Sequence, residues 1–254
     1  DKKYKNKINN ISDAFPYVKK LLSENTEKIR INGDDKVKIG LLTSAGVDSN
    51  AILSILFEKK LIKNLEIFTA KNHLKEFDES KNVIEIINKY NKKEDIIKKP
   101  HLAKLNIDEN LKIINKLSYY NDEPIPFLMS PILYKLCKLA RKNKVKVLIS
   151  GEGSDEIFYG YERYFETNKK LKKLKDTKKI IDLIYFGAGL KNKKLITQIT
   201  NQKSFKDTPG YKWLIKNINK YDKNLIQQIY RQKFIFQNLL QRNDRIGMSE
   251  SIEI

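Results

Sequence analysis

Between residues 37 and 164, short apolar runs alternate with longer stretches in which apolar residues return every three or four positions. That rhythm predicts strands followed by helices. Val37 to Thr43 reads as a strand, and the stretch carrying Ile52, Leu53, Ile55, Leu56 and Phe57 as a helix. Leu65 to Thr69 is a second strand, and Asp78 to Tyr90 a second helix through Val83, Ile84, Ile86 and Ile87. Ile96-Ile97 is a weak third strand, followed by a helix from Ile107 to Leu117. Ser130-Pro131 opens a helix that reaches Arg141, because serine can cap free amides and proline suits a first turn. Val145 to Ile149 is the next strand. Strands alternating with helices imply an α/β fold, an open parallel sheet with helices on both faces.

Outside that region the pattern changes. Residues 1 to 11 are polar, and from Ser12 to Ile29 the residues Phe15, Val18, Leu21, Leu22 and Ile29 recur at helical spacing, with Ser12 or Asp13 as the cap. Asn32 to Asp35 reads as a turn, so the chain divides into a lead-in with an N-terminal helix, residues 1–35, and a domain, residues 36–254. Residues 168 to 180 are nearly all lysine and polar, a solvated link or exposed helix end; several helices follow up to Ser249. Glu253-Ile254 carries no stop signal, and no internal repeat is visible.

Composition narrows the classes. With 254 residues, 40% hydrophobic and 10% aromatic, the chain can bury one core, and it has no apolar run long enough for a membrane span. No secretory signal is visible at Asp1, which points to the cytoplasm. The single cysteine, Cys137, lies among Ile132, Leu133, Leu136, Leu139 and Ala140, and is either core packing or a reactive thiol. A net charge of +20 brings a nucleic-acid-binding module into consideration. The charge is overwhelmingly lysine spread along the chain, with arginine only at positions 30, 141, 163, 231, 242 and 245, so no nucleic-acid partner is expected. The field would still attract small anionic ligands.

The chemistry lies in two loops. Ser44-Ala45-Gly46-Val47-Asp48-Ser49 joins a strand to a helix, where outward amides and the helix dipole make an anion site. It has neither the Gly-Lys-Ser/Thr ending of a Walker A loop nor G-x-G-x-x-G. A carboxylate, Asp48, beside a phosphate site calls for a cation such as Mg²⁺. The alternative is an ordinary turn with Asp48 as a cap. The second loop, Ile149-Ser150-Gly151-Glu152-Gly153-Ser154-Asp155-Glu156, also follows a strand, so in a parallel sheet both loops would lie at one carboxyl edge and face one cleft.

The first loop resembles the S-G-G-x-D-S pyrophosphate loop of the ATP-pyrophosphatase superfamily, with Ala45 where glycine is usual. The second resembles the L-S-G-E-G-S-D-E-x-F-G-G-Y signature of asparagine synthetases, with Tyr159 in place of a glycine. Softer matches are Phe77-Asp78-Glu79, Asp122-Glu123-Pro124, Ser130-Pro131, Leu240 to Arg245, Met248 and Ser251-Ile252-Glu253. The resemblance spans about residues 36 to 254 and implies a fold of the adenine nucleotide alpha-hydrolase type followed by a helical C-terminal part.

By that resemblance, Asp48 and Asp155 hold Mg²⁺ between ATP phosphates, while Ser44, Ala45, Gly46 and Ser49 form the pyrophosphate loop. Leu42 and Ala70 meet the adenine through backbone groups, and Ser150 and Gly151 approach the nucleotide. Glu152 accepts a proton as ammonia attacks, and Arg242 either binds the substrate's carboxylate or forms an interhelical salt bridge. The implied reaction adenylates a carboxylate, aspartate first, for attack by ammonia from glutamine. Another acceptor, such as a sugar acid in surface-polysaccharide synthesis, is the alternative. It is favoured by the lysine-rich stretch after Tyr164 and by Leu239 where some asparagine synthetases have aspartate. Glutamine-dependent members begin with a cysteine in a glutaminase domain and continue past Ser-x-Glu into R-V-P-F-L-D. On that comparison this chain reads as a piece of a longer protein, lacking the glutaminase domain and its C-terminal end, and a homodimer is compatible with it.

Overall fold

A computed structural model describes residues 10–32, 37–61, 65–72, 74–92, 99–104, 107–122, 129–187 and 193–254. The chain divides into two units, Asp1–Gly151 with Asn243–Ile254, and Glu152–Arg242. In the first, the elements are α1 (Ile11–Asn32), β1 (Lys38–Leu42), α2 (Val47–Glu58), β2 (Glu66–Lys71), α3 (Ser80–Asn91), β3 (His101–Lys104), α4 (Ile107–Asn121), α5 (Ser130–Lys142) and β4 (Val145–Ile149). The strands lie in the order β3-β2-β1-β4, all parallel, with Leu41 paired to Ile67 on one side and Ile149 on the other.

Alternate residues of each strand serve opposite faces of the sheet. Ile39, Leu41, Ile67 and Ile149 pack with Leu53 and Leu56 of α2 and Val83 and Ile87 of α3. Phe68, Ala103 and Leu148 pack with Ile132, Leu136, Cys137 and Ala140 of α5. Burial on both faces is why these strands read as short continuous apolar runs. The α/β fold expected from the sequence is the fold observed.

Several local expectations are corrected. Asn10, not Ser12 or Asp13, caps α1, its Oδ1 accepting from the Asp13 amide at 2.8 Å. Met129 occupies the cap position of α5 and Ser130 lies inside the helix without a capping bond, as Pro131 already removes one of the donors a cap would serve. Asp78 precedes α3 rather than opening it, and its Oδ1 accepts from the amides of Asn72 and Ser80. Ile96-Ile97 and residues 33–35 fall outside the described residues. The strand the apolar pattern missed is β3, where His101 stacks on Phe68 at 4.9 Å and meets Glu66 Oε2 at 2.9 Å. The last residues also join the sheet: Leu148 donates to Glu253 at 2.8 Å and Glu253 to Lys146 at 3.0 Å, with Ile252 fully buried.

The second unit is helical: α6 (Ser154–Phe158), α7 (Glu162–Lys173), α8 (Thr177–Phe186), α9 (Lys193–Thr200), α10 (Pro209–Asn217), α11 (Lys223–Arg231), a π-helical turn (Gln232–Phe236) and the start of α12 (Gln237–Met248). Leu171, Ile180, Ile181, Ile184, Tyr211, Leu214, Ile226 and Tyr230 form its core. Of the two readings of residues 168–180, the structure has the exposed helix end, not the solvated link. Thr167 and Leu171 bury one face of α7 while Lys169, Lys170, Lys172 and Lys173 stay exposed, and only residues 174–176 separate α7 from α8. Among the described residues, no helix is long and apolar enough to cross a membrane.

Candidate functional site

The chain runs from β1 to β2 to β3 on one side, then crosses β1 to place β4 on its other side. Strand order thus reverses between β1 and β4, the position where open α/β sheets bind ligands beyond the carboxyl ends of their strands. The loop after β1 and the residues after β4 both emerge there. Leu42 ends β1 opposite Phe68, and Ala70 lies near the carboxyl end of the neighbouring β2.

The first loop is stitched by its own serines. Ser49 Oγ receives the Ser44 amide at 3.1 Å and donates back to the Ser44 carbonyl at 3.0 Å, while Ser44 Oγ receives the Gly46 amide at 3.1 Å. The two hydroxyls lie 3.2 Å apart. These hydroxyls shape the loop, and Gly46 supplies no capping side chain at the start of α2, a helix N-terminus of the kind whose backbone N–H groups can receive an anion. Asp48 stands half-buried in the first turn of α2, a position where a carboxylate suits the helix dipole.

Ala45 is not among the residues with positive φ, so the methyl where the family has glycine fits an ordinary backbone. Its amide donates to Glu79 Oε2 at 3.0 Å. In the sequence Glu79 stands out only as part of Phe77-Asp78-Glu79, with no role attached.

Gly151 lies hard against this loop. A Cβ there would sit 2.9 Å from the Ser49 nitrogen and 3.1 Å from Asp48 Cβ, so only glycine allows the chain leaving β4 to pass so close. The first unit thus gathers Leu42, Ser44, Ala45, Gly46, Asp48, Ser49, Ala70, Ser150 and Gly151 around the carboxyl ends of β1, β2 and β4.

Glu152, Asp155 and Arg242 belong to the second unit. Glu152 is exposed, and Arg242 is buried on α12. Asp155 is in the first turn of α6, and its carboxylate occupies the space a side chain at Gly160 would need. Glu156 is buried and accepts from the Tyr161 hydroxyl at 3.1 Å. Burial, and then the nearby Glu156 carboxylate, pushes the Tyr161 phenol well above its usual range. Tyr159, standing where the family signature has glycine, takes φ +61°. That left-handed conformation costs a non-glycine residue roughly 1–2 kcal/mol. It is offset by a bond from the Tyr159 hydroxyl to the Asn224 carbonyl and an edge contact with the Tyr164 ring at 6.0 Å.

Cys137 is fully buried, and desolvation pushes its thiol up to about 12, so it is core packing rather than a nucleophile. Among the described residues, no three or more His, Cys, Asp or Glu side chains cluster as a metal site. The groups at the first loop are hard oxygens, carboxylate and hydroxyl, which fit Mg²⁺ completed by phosphate and water rather than a softer metal.

The family model described as asparagine synthase matches residues 24–254. A Mycobacterium bovis protein, provisionally named as a glutamine-hydrolyzing asparagine synthetase, is 34% identical over 133 residues, which cover 51% of this chain and 19% of that one. Glutamine-hydrolyzing asparagine synthetase 1 of Bacillus subtilis is 28% identical over 149 residues, 55% of this chain and 21% of that protein. The matched stretch thus spans about a fifth of these relatives' length. Among solved structures, the U34-tRNA thiolase NcsA of Methanococcus maripaludis, solved with its 4Fe-4S cluster, aligns over 91% of this chain and 79% of its own at 14% identity and a TM-score of 0.33. The family assignment rests on the match over residues 24–254, and by it the chain belongs to the asparagine synthase family.

Proposed function

We propose that this chain carries the ATP-dependent half of a glutamine-dependent, amide-forming ligase acting in the cytoplasm, with aspartate as the carboxylate it activates. The observation that supports this most directly is the stitched Ser44–Ser49 loop at the β1/β4 reversal, with Gly151 packed against it, in a chain of the asparagine synthase family. A carboxylate does not react with ammonia directly, because oxide is a poor leaving group. Attack of the aspartate side-chain carboxylate on the α-phosphorus of ATP forms an acyl-adenylate and releases pyrophosphate. Ammonia then attacks the acyl carbon, AMP departs, and an amide and a proton remain.

In this reading the loop from Ser44 to Ser49 holds the departing pyrophosphate, backbone groups of Leu42 and Ala70 meet the adenine, and Ser150 and Gly151 flank the nucleotide. Asp48 would hold Mg²⁺, which when bound neutralises phosphate charge. The sequence resemblance assigns Asp155 the second contact to that ion and Glu152 the proton released as ammonia attacks; Arg242 is assigned to the acceptor's carboxylate. The ammonia is supplied from glutamine by a glutaminase domain.

One observation favours a different acceptor, such as a sugar acid. Leu239 lies one turn before Arg242 on α12, where some asparagine synthetases carry aspartate. Titration calorimetry of the 254-residue chain with Mg·ATP tests the shared part of both readings. Asp48→Asn removes an anionic oxygen ligand and is expected to weaken binding about tenfold or more. Equal affinity in both proteins would reduce Asp48 to a helix-turn residue and remove the phosphate-loop assignment. ATP–pyrophosphate exchange with aspartate and with sugar acids then separates the acceptors.

A further inference from the structure

The helical unit contains a concentration of unsatisfied polar atoms that the nucleotide reading does not use. Ten buried side-chain atoms among the described residues have no hydrogen-bond partner, and seven lie on α7 and α11: Tyr164 OH, Asn168 Oδ1, Asn224 Oδ1, Gln227 Nε2 and Oε1, and Arg231 Nε and Nη1. Tyr164 and Asn168 are one turn apart on α7, and Asn224, Gln227 and Arg231 follow at three- and four-residue spacing on α11, so each set shares a helix face. Gln227 is 0% exposed, and Arg231 and Tyr164 are 1% exposed. Leaving even one such group dry and unpaired costs on the order of 1–3 kcal/mol, so five residues with such atoms on α7 and α11, three of them almost fully buried, imply an occupant.

The charge identifies its class. The Arg231 guanidinium stacks on the Tyr164 ring at 4.0 Å, with the Arg163 guanidinium 5.5 Å from the same ring. Among the described residues the Arg231 guanidinium makes one long hydrogen bond, 3.4 Å, from Nη2 to the Gly187 carbonyl, with the Tyr164 phenol as its other polar neighbour. Among the described residues no carboxylate pairs with it, and the charged neighbour acting on it is another cation, Arg163. Water could satisfy the amides and the phenol, but it cannot balance a buried positive charge, whose desolvation is a large penalty without a counter-ion. Immediately after Arg231 the helix widens into the π turn Gln232–Phe236, a distortion that recurs at functional sites.

We propose that the seam between α7 and α11 binds a small monovalent anion, a halide or a carboxylate no larger than formate or acetate, held by Arg231 with Gln227 and Tyr164. The near-complete burial of these three side chains limits its size.

Chloride and formate, each titrated against gluconate at constant ionic strength, are the probes. Trp213 is the single tryptophan, and its ring lies 6.4 Å from that of Tyr230, the residue before Arg231. A saturable change in its fluorescence is expected with chloride, formate or both; response to one alone distinguishes a halide site from a carboxylate site. Thermal unfolding should shift upward by about 5 °C at a hundredfold excess over the dissociation constant, and Arg231→Met should abolish the difference between anions. Gln227→Leu, which keeps the cation, should weaken the response several-fold. Wild-type protein that responds to neither probe beyond gluconate, or an Arg231→Met protein that responds equally, would overturn the site.

Discussion

Glu79 Oε2 holds the Ala45 amide at 3.0 Å, so a carboxylate already occupies one N–H of the loop assigned to pyrophosphate. Glutamine at position 79 would keep an acceptor for that amide and remove a negative charge near the arriving phosphates. Two unit charges about 4 Å apart in water repel by about 1 kcal/mol. Glu79→Gln is therefore expected to tighten pyrophosphate binding about fivefold at low salt, with the gain fading as salt rises. Calorimetry decides: weaker binding in the variant would mean that Glu79 is needed to shape the loop, not that it competes with phosphate. The small-residue run from Ser44 to Ser49 was legible as a loop from sequence, because strand, turn and helix follow directly. Glu79 was not, since its bond to Ala45 joins residues 34 apart. The roles of the two serines were legible only in part; spacing put their hydroxyls near a phosphate site, while folding uses them to tie Ser44 to Ser49 and Gly46.

Strands with strong apolar runs appear within about a residue of where the sequence puts them, as β1 and β4 illustrate. Burial from both faces writes itself into most positions of such a strand. By contrast β3, four residues with a half-buried histidine and an exposed lysine, owes its existence to backbone pairing with β2 and to the stacking of His101 on Phe68. Neither leaves a local mark. The lysine-rich stretch left link and helix end both open for a different reason: its charged residues are numerous, but Tyr164, Thr167 and Leu171 recur on one face and bury it. Leu171→Ala discriminates between helix and link. Removing a fully buried leucine side chain is expected to destabilise the helical unit by about 2–4 kcal/mol, read from denaturant unfolding by Trp213 fluorescence. A change below about 0.5 kcal/mol, the range for exposed positions, would restore the solvated link.

For the molecule as a whole, burial has raised the proton affinity of several weak acids. Cys137, Tyr159 and Tyr211 are each pushed up to about 12, chiefly by desolvation, helped by Asp222 beside Tyr159 and by the Asp182 hydrogen bond to Tyr211. When the chain unfolds, these groups return toward their ordinary values of 9.0 for cysteine and 10.0 for tyrosine. Between those values and about 12 the folded protein holds more protons than the unfolded chain, so rising pH favours unfolding. Urea midpoints should be level near pH 8 and fall progressively above pH 9; a constant midpoint through pH 11 would show that these groups are open to solvent. The hydrogen bonds between Glu253 and β4 bear on how the molecule is made. On the ribosome β1 to β4 emerge first, while the segment that pairs with the far edge of β4 follows only after the whole helical unit, residues 152–242, has been synthesised. At roughly 5–20 residues per second, about a hundred residues take roughly 5–20 s. Throughout that interval β4 presents an unpaired edge to the other nascent chains of a polysome.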